Sequence, residues 1–318
     1  MTNDDLAEVM DTSDEWIAQR TGIRERRWVD ADTTTSDLAL EAATAAIADA
    51  GIEPGAIDMI VFATLSPDHE FPGNACFLQA KLDVPGIPAM DVRQQCTGFV
   101  YAMSTADAMI RVGNADTVLV VGAEVHSKGL DVSDRGRDVS VLFGDGAGAV
   151  VLQATEVADA RHDSHVWDTR LHADGSFADA LWLPAPGMAY ERFISEEQFT
   201  EGLNYPQMDG RTVFVNAVKR MPETVEEILS ENGVTVDDIN LFVFHQANLR
   251  IIEAVAHRLD LPPEKVVNTI DRTANTTAAT LPLCLDEARR LGKLEPGMLV
   301  VGAAFGSGFT WGSMLLRW

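Results

Sequence analysis

Cys96, His245 and Asn275 are a nucleophile, a base and an amide donor, and each sits where an apolar run gives way to a helix-like run. Cys96 lies in Asp91-Val92-Arg93-Gln94-Gln95-Cys96-Thr97-Gly98-Phe99, a strand-to-helix turn. Backbone N–H groups and the positive end of a helix dipole would stabilise a thiolate there. His245 follows an apolar strand directly, at the carboxyl end where α/β proteins build their sites. Asn275, in Thr273-Ala274-Asn275-Thr276-Thr277-Ala278-Ala279, opens a further helix-like run. Singly, each has a plainer explanation: an inert buried thiol, a satisfied histidine, a helix cap. Cys76 and Cys284, inside apparent helices, keep that plainer reading as buried, unreactive thiols. Three such residues at three equivalent turns instead predict covalent catalysis at a carbonyl. The loop Ala304-Phe305-Gly306-Ser307-Gly308-Phe309-Thr310 adds closely spaced backbone N–H groups that suit an oxyanion hole.

The elements that carry these turns occur twice. Ile57–Phe62 aligns apolar on apolar with Ile239–Phe244, and Leu119-Val120-Val121-Gly122-Ala123 recurs as Leu299-Val300-Val301-Gly302-Ala303. Asn275 stands 179 residues beyond Cys96, so the repeat brings the two reactive turns into correspondence. Two like halves packed about a pseudo-twofold axis would bring Cys96 of one towards His245 and Asn275 of the other. The predicted elements alternate: helix 36–50, strand 58–64, helix 73–82, strand 88–92, a helix to about 112, and strands 117–123 and 147–153. In the second half they are helix 212–232, strand 239–244, helix 248–259, strand 266–270, helix 277–291, and strands 297–303 and 309–317. Strands apolar throughout, alternating with helices, indicate sheets buried on both faces. The predicted fold is therefore α/β, two duplicated halves forming a layered αβαβα sandwich, with 1–155 as the first half and 156–318 as the second. The segment 183–210 fits neither copy and is expected to cap the site. The first copy should open with a strand before residue 10, and none is legible.

The bulk composition narrows the function. With 318 residues, 46% hydrophobic and 23% charged, the chain reads as an ordinary globular protein. The formal net charge of −25 argues against nucleic-acid binding and fits a salty habitat or simple solubility. The acidic amino terminus is not read as a secretory signal, and no apolar run approaches a membrane span. Three cysteines with no paired spacing indicate neither a disulfide framework nor a metal site, so a reducing cytoplasm is expected. Against the negative total, Arg250, His257 and Arg258 gather at helical spacing after His245. They form either a docking patch for an acidic partner or an incidental solvated face. Phe143-Gly144-Asp145-Gly146-Ala147-Gly148 leads into a strand rather than a helix, which makes it a structural turn and not a dinucleotide site.

Over nearly its whole length the chain resembles the β-ketoacyl-acyl-carrier-protein synthase III family, of the thiolase fold. The resemblance rests on Asp11-Thr12-Ser13-Asp14-Glu15-Trp16, Arg20-Thr21-Gly22-Ile23-Arg24-Glu25-Arg26, Phe143–Gly148, His245-Gln246-Ala247-Asn248-Leu249-Arg250 and Gly308-Phe309-Thr310-Trp311-Gly312-Ser313. It implies decarboxylative condensation of an acyl-CoA primer with malonyl-acyl-carrier protein, in a cytoplasmic homodimer with coenzyme A thioester as substrate and no permanent cofactor. By position, Cys96 is the acylated nucleophile, and His245 and Asn275 stabilise the enolate left by CO2. The backbone N–H groups of Cys96 and Ser307 form the oxyanion hole. Trp16 and Arg135 are expected to sandwich the adenine, with Arg20, Thr12, Phe214 and Asn248 along the rest of the coenzyme. Phe305 and a partner-reaching Phe71 are assigned to the acyl pocket, and Arg250, His257 and Arg258 to carrier-protein docking.

Departures from the family pattern are also visible. Gln94 and Gln95 replace small residues, Ala274 and Ser307 replace glycines, Arg137 and Asp138 are inserted beside Arg135, and 183–210 is long. These changes lean towards a primer longer than acetyl. A degradative thiolase would need a second cysteine near Ser307, and a hydroxymethylglutaryl-type synthase a glutamate near Cys96; neither is placed by the sequence. A cysteine hydrolase fits the triad but not the duplication. A secondary-metabolite condensing enzyme and a non-catalytic acyl-CoA or carrier-protein-binding homologue remain as alternatives.

Overall fold

The computed structural model describes residues 1–318. Helices α1 (Asn3–Ala7), α2 (Asp14–Thr21) and α3 (Thr35–Asp49) lead into β1 (Met59–Ala63), α4 (Asn74–Leu82), β2 (Ala89–Val92), α5 (Gly98–Arg111), β3 (Thr117–Glu124), α6 (Arg137–Ser140) and β4 (Gly146–Gln153). Then come β5 (His165–Ala173), β6 (Leu181–Trp182), α7 (Glu196–Thr200), β7 (Gln207–Met208), α8 (Gly210–Glu231), β8 (Leu241–Phe244) and α9 (Leu249–Arg258). The chain closes with β9 (Val266–Val267), α10 (Ile270–Thr273), α11 (Thr280–Arg290), β10 (Leu299–Gly306) and β11 (Thr310–Arg317).

The repeat in the sequence is a repeat of topology. One sheet runs β2-β1-β3-β4 and the other β9-β8-β10-β11-β5. In each, the first three strands are parallel and the fourth is antiparallel. All residues of β1, β3, β8 and β10 are buried, because helices cover both faces of both sheets. Outside the first sheet, Ala39 and Ala43 of α3 and Leu78 of α4 pack on Ile60, Phe62 and Leu119. Outside the second, Val225 and Ile228 of α8 and Ile252 of α9 pack on Phe242, Phe244 and Val301. Between the sheets, Phe99 and Met103 of α5 meet Leu281 and Cys284 of α11, with Val61, Val120, Val243 and Val300 on either side. These are five layers, α-β-α-β-α, and burial of each large apolar side chain in them contributes about 1.5–3 kcal/mol.

Local signals set the element ends. The α3 helix begins at a Thr34–Asp37 capping box and is followed by Gly51 at φ +67°. The middle layer meets the first sheet so closely that a Cβ on Gly122 would lie 2.4 Å from the carbonyl oxygen of Ala278, which restricts that position to glycine.

Some sequence expectations need correction. β9 spans only Val266–Val267, since Ile270 already begins α10; α11 begins at Thr280, after a tight turn over Thr277–Ala279. β5 is a long strand that the sequence reading missed. Its polar and apolar residues are mixed along a half-buried edge, and its pairing with β11 slips between Leu315 and Leu316. The first sheet has no fifth strand: the amino terminus is occupied by α1 and a single Thr2–Glu25 bridge. Cys76 lies on α4 as expected but is exposed, because it faces away from the sheet. Cys284 is buried, with burial pushing its thiol up to about 12.

Candidate active site

Cys96, His245 and Asn275 line one cavity of about 100 Å³, with Leu142, Phe143, Phe214, Phe305 and Gly306 among its walls. Cys96 sits in a tight turn, Gln95–Thr97, immediately before α5, and Gln95 takes φ +45° to make the reversal. The turn is wedged against the carboxyl end of β10: a Cβ on Gly306 would lie 2.5 Å from the Cys96 Cβ. Across the junction Thr97 and Thr310 share a hydroxyl–hydroxyl hydrogen bond of 2.7 Å.

The backbone N–H groups of Ser307 and Cys96 both favour a charged sulfur, yet burial, followed by the nearby Glu124, pushes the thiol up to about 12. This corrects the expected resting thiolate: desolvation outweighs the two donors and the helix end. The sulfur is therefore held as S–H in the closed pocket and needs a base. Ser307 is fixed by its hydroxyl, which donates to the carbonyl of Leu181 in β6.

His245 is 2% exposed, and burial lowers its pKa to about 3, so the imidazole is neutral. Its Nδ1 lies 2.8 Å from the Thr280 hydroxyl, which itself donates to the Thr277 carbonyl at 2.9 Å. With that hydroxyl proton committed, Thr280 accepts Nδ1–H, and Nε2 faces the cavity as a lone pair without a protein partner.

Asn275 is held at both ends of its peptide, its N–H donating to Leu142 (2.9 Å) and its carbonyl accepting from Gly144 (3.1 Å). Its side-chain oxygen accepts the Thr277 N–H at 2.8 Å. That bond orients the carboxamide so that the NH2 is the end left for a ligand. Of the Phe143–Gly148 segment, read from the sequence as a turn, only Phe143–Asp145 precede the strand; Gly146–Gly148 already belong to β4. Asp145 accepts from the N–H groups of Val29, His126 and Ser127 and from the Ser127 hydroxyl.

Glu124 was not found from the sequence, although a carboxylate closing the wholly apolar run of β3 was the available signal. It is fully buried and accepts from the Thr64 and Ser66 hydroxyls and the Leu65 and Ser66 N–H groups. Burial raises it to about 7. Its oxygens are occupied by these donors, so it acts on Cys96 through its partial negative charge at neutral pH rather than as a free base. Thr280, Thr277 and His126 were likewise not singled out, because nothing in their spacing sets them apart from other core polar residues.

The outer residues are partly rearranged. Trp16 carries Arg20 at 4.3 Å and Arg137 at 5.0 Å over its ring. Arg135, the expected partner of Trp16, instead pairs with Asp131 at 2.5 Å and lies 5.5 Å from the Tyr205 ring of the cap. Asp131 and the Tyr205 ring hold Arg135, which leaves Arg20 and Arg137 on the Trp16 ring. Thr12 has a buried hydroxyl with no partner. Asn248 spends its side chain capping α9, accepting from the Arg250 N–H, and donating to the Arg20 carbonyl. Phe214 and Phe305 line the cavity, whereas Phe71 is 85% exposed and is not among its walls. Arg250, His257 and Arg258 are exposed on α9 without an ion pair to any of them.

Two like halves sharing a helical middle layer, with a cysteine turn of one facing a histidine and an asparagine of the other, define a condensing enzyme of the thiolase fold. Family models for 3-oxoacyl-[acyl-carrier-protein] synthase III match residues 90–175, and for its C-terminal part residues 229–318. A β-ketoacyl-[acyl-carrier-protein] synthase III of Xanthomonas campestris is 50% identical over 321 residues, spanning 100% of this chain and 94% of that protein. Crystal structures of 3-oxoacyl-[acyl-carrier-protein] synthase III from Aquifex aeolicus VF5 and Pseudomonas aeruginosa PAO1 superpose with TM-score 0.90 at 41% identity. They cover 100% of this chain and 95% and 93% of theirs. The chain belongs to the β-ketoacyl-acyl-carrier-protein synthase III family.

Proposed function

We propose that the protein condenses an acyl-CoA primer with malonyl-acyl-carrier protein to give β-ketoacyl-acyl-carrier protein, CoA and CO2, the opening step of fatty-acid synthesis. The observation that carries this reading is the convergence of one thiol, one neutral imidazole and one oriented carboxamide on a single apolar cavity. In the first half-reaction the Cys96 sulfur attacks the primer carbonyl while its proton passes to His245 Nε2. The tetrahedral oxyanion lies against the N–H groups of Cys96 and Ser307. Its collapse expels the CoA thiolate, which recovers that proton.

In the second half-reaction the bond between the malonyl α-carbon and its carboxylate breaks, CO2 leaves, and the electron pair becomes an enolate. Asn275 Nδ2–H and His245 Nε2–H donate to the enolate oxygen. The histidine therefore needs its proton on Nε2 in place of Nδ1; once the ring proton has exchanged between the nitrogens, the Thr280 hydroxyl, turned from the Thr277 carbonyl, donates to the bare Nδ1 and holds that tautomer. The enolate carbon attacks acyl-Cys96, and the released thiolate takes up the one proton that the overall reaction consumes. Apolar walls keep water from the acyl-enzyme.

Coenzyme A is assigned to the rim bearing Trp16, Arg20, Arg137, Thr12, Phe214 and Asn248, and the carrier protein to Arg250, His257 and Arg258. A homodimer is assigned because the exposed Phe71 would complete the acyl pocket of the second copy. Intact-mass measurement after exposure to a short panel of acyl-CoAs tests the reading. An acyl adduct on the wild type and none on Cys96→Ser, followed by its discharge with CO2 release on adding malonyl-carrier protein, is expected. An adduct that persists without CO2 release, or no adduct with any thioester, overturns it in favour of a binding homologue.

A further inference from the structure

The turn that carries Asn275 holds two non-glycine residues in left-handed backbone, Ala274 at φ +55° and Thr277 at φ +51°. For a β-branched residue such a conformation persists only where the surroundings over-determine it. Thr277 is the residue whose N–H orients the Asn275 carboxamide. Its own side chain reaches the other half of the molecule: Thr277 Oγ1 and His126 Nε2 share a hydrogen bond of 2.5 Å, with Thr277 fully buried and His126 nearly so.

His126 is rigidly mounted. Its N–H donates to Asp145 at 2.7 Å, and its ring lies 4.6 Å from that of Phe143, the residue whose backbone bridges Asn275. The pseudo-symmetry points the same way. Just as Gly306 and Ser307, at the end of β10, press on the Cys96 turn, His126, just past the end of β3, presses on the Asn275 turn.

We propose that His126 is a positioning residue for Asn275: by holding the Thr277 side chain it fixes the left-handed backbone whose N–H aims the carboxamide at the developing enolate. The proposal rests on the decarboxylating role assigned to Asn275 above. His126 touches neither substrate nor Cys96, so it should affect the second half-reaction and spare the first.

The test uses His126→Phe, which keeps a ring against Phe143 and removes the hydrogen bond. Acylation of Cys96 is followed by intact mass with whichever acyl-CoA labels the wild type, and decarboxylation by CO2 released from malonyl-carrier protein. Acylation is expected to stay within about twofold while CO2 release falls about tenfold, the range for loss of a supporting hydrogen bond behind a reactive group. Adding Thr277→Gly, which adopts positive φ unaided, should restore CO2 release to within about threefold. Unchanged CO2 release, an equal fall in both half-reactions, or no rescue by glycine overturns the proposal. Should His126→Phe fail to acylate, Thr277→Val, which deletes only the hydroxyl partner, decides by the same comparison of the two half-reactions, with Thr277→Gly alone as the variant expected to keep CO2 release. Full CO2 release by Asn275→Ala would remove the underlying reading, and that outcome is distinguished because it does not involve His126.

Discussion

The Thr280 hydroxyl lies between His245 Nδ1, at 2.8 Å, and the Thr277 carbonyl oxygen, at 2.9 Å. It has one proton for the two. Donated to the carbonyl, that proton leaves His245 Nε2 as a base; donated to Nδ1, it leaves Nε2–H as a donor. One rotor can thus hold either of the two tautomers that the two half-reactions require, the ring proton itself exchanging between the nitrogens, with no buried charge in either resting form. Thr280→Val is expected to slow CO2 release from malonyl-carrier protein about 10–100-fold with a smaller effect on acylation. Separate assays of the half-reactions check this, and equal losses in both would refute the tautomer argument.

Gly306 leaves the Cys96 turn no spare room. A methyl at this position would sit 2.5 Å from the Cys96 Cβ and 3.0 Å from its sulfur. Gly306→Ala should displace the nucleophile from its two N–H donors and cut acylation about a hundredfold. The adduct rate by mass spectrometry, with circular dichroism as a control for folding, measures it.

Arg137 and Arg135 should separate in their effects on coenzyme A. Arg137 lies over Trp16, while Arg135 is tied to Asp131 and faces Tyr205. Arg137→Ala is expected to raise KM for acyl-CoA several-fold with kcat little changed, as loss of an exposed cation–π contact of about 0.5–1 kcal/mol predicts. It should leave acylation by a short acyl-pantetheine thioester unaltered. Arg135→Ala should act mainly through the cap; a larger effect of Arg135→Ala on acyl-CoA alone would restore the original assignment.

Three buried groups set the acid stability. His245 and His126 have their pKa values lowered by burial to about 3 and about 4, below the unfolded value of about 6.5. Glu124 is raised by burial to about 7. Between pH 4.5 and 6.5 the unfolded chain binds protons on both histidines, whereas the folded chain binds one on Glu124. The net difference is about one proton in favour of the unfolded state, so stability falls as the pH falls, by about 1.4 kcal/mol per unit at most. Urea unfolding at pH 7 and pH 5 measures this. His126→Phe should nearly flatten the slope across the window, and an undiminished slope would count against the buried histidine as its source.

The exposed cations of α9 stand out on a chain of net charge −25. Charge reversal at Arg250 and Arg258 together should raise KM for malonyl-carrier protein several-fold, and the effect should shrink as salt is added. KM for malonyl-CoA should not change. Equal effects on both donors would place these residues in the general substrate path instead of at a docking surface.

Much of the architecture was legible because it follows from local chemistry. Apolar runs such as Leu119–Ala123 and Leu299–Ala303 can only be strands covered on both faces, and their recurrence in one order defines the duplicated layers. β5 was not legible, since a half-buried edge strand with mixed residues and a slipped register leaves no period to read. The amino-terminal helices α1 and α2 were also passed over, being short and set by capping rather than by an apolar face.

Within the site, sequence alone determined which residue types stand at the three turns: a thiol, an imidazole and a carboxamide, each at the carboxyl end of a buried strand or at the start of a helix. Their state was decided by tertiary structure. Burial and the neighbouring Glu124, remote only in sequence, keep the Cys96 thiol protonated; Thr280 holds the His245 tautomer; Thr277, reached by His126, aims the Asn275 amide. Tertiary structure also gave Trp16 to Arg137 instead of Arg135. Protonation, tautomer and orientation depend on desolvation and on contacts between residues far apart in the chain, and local spacing carries no record of either.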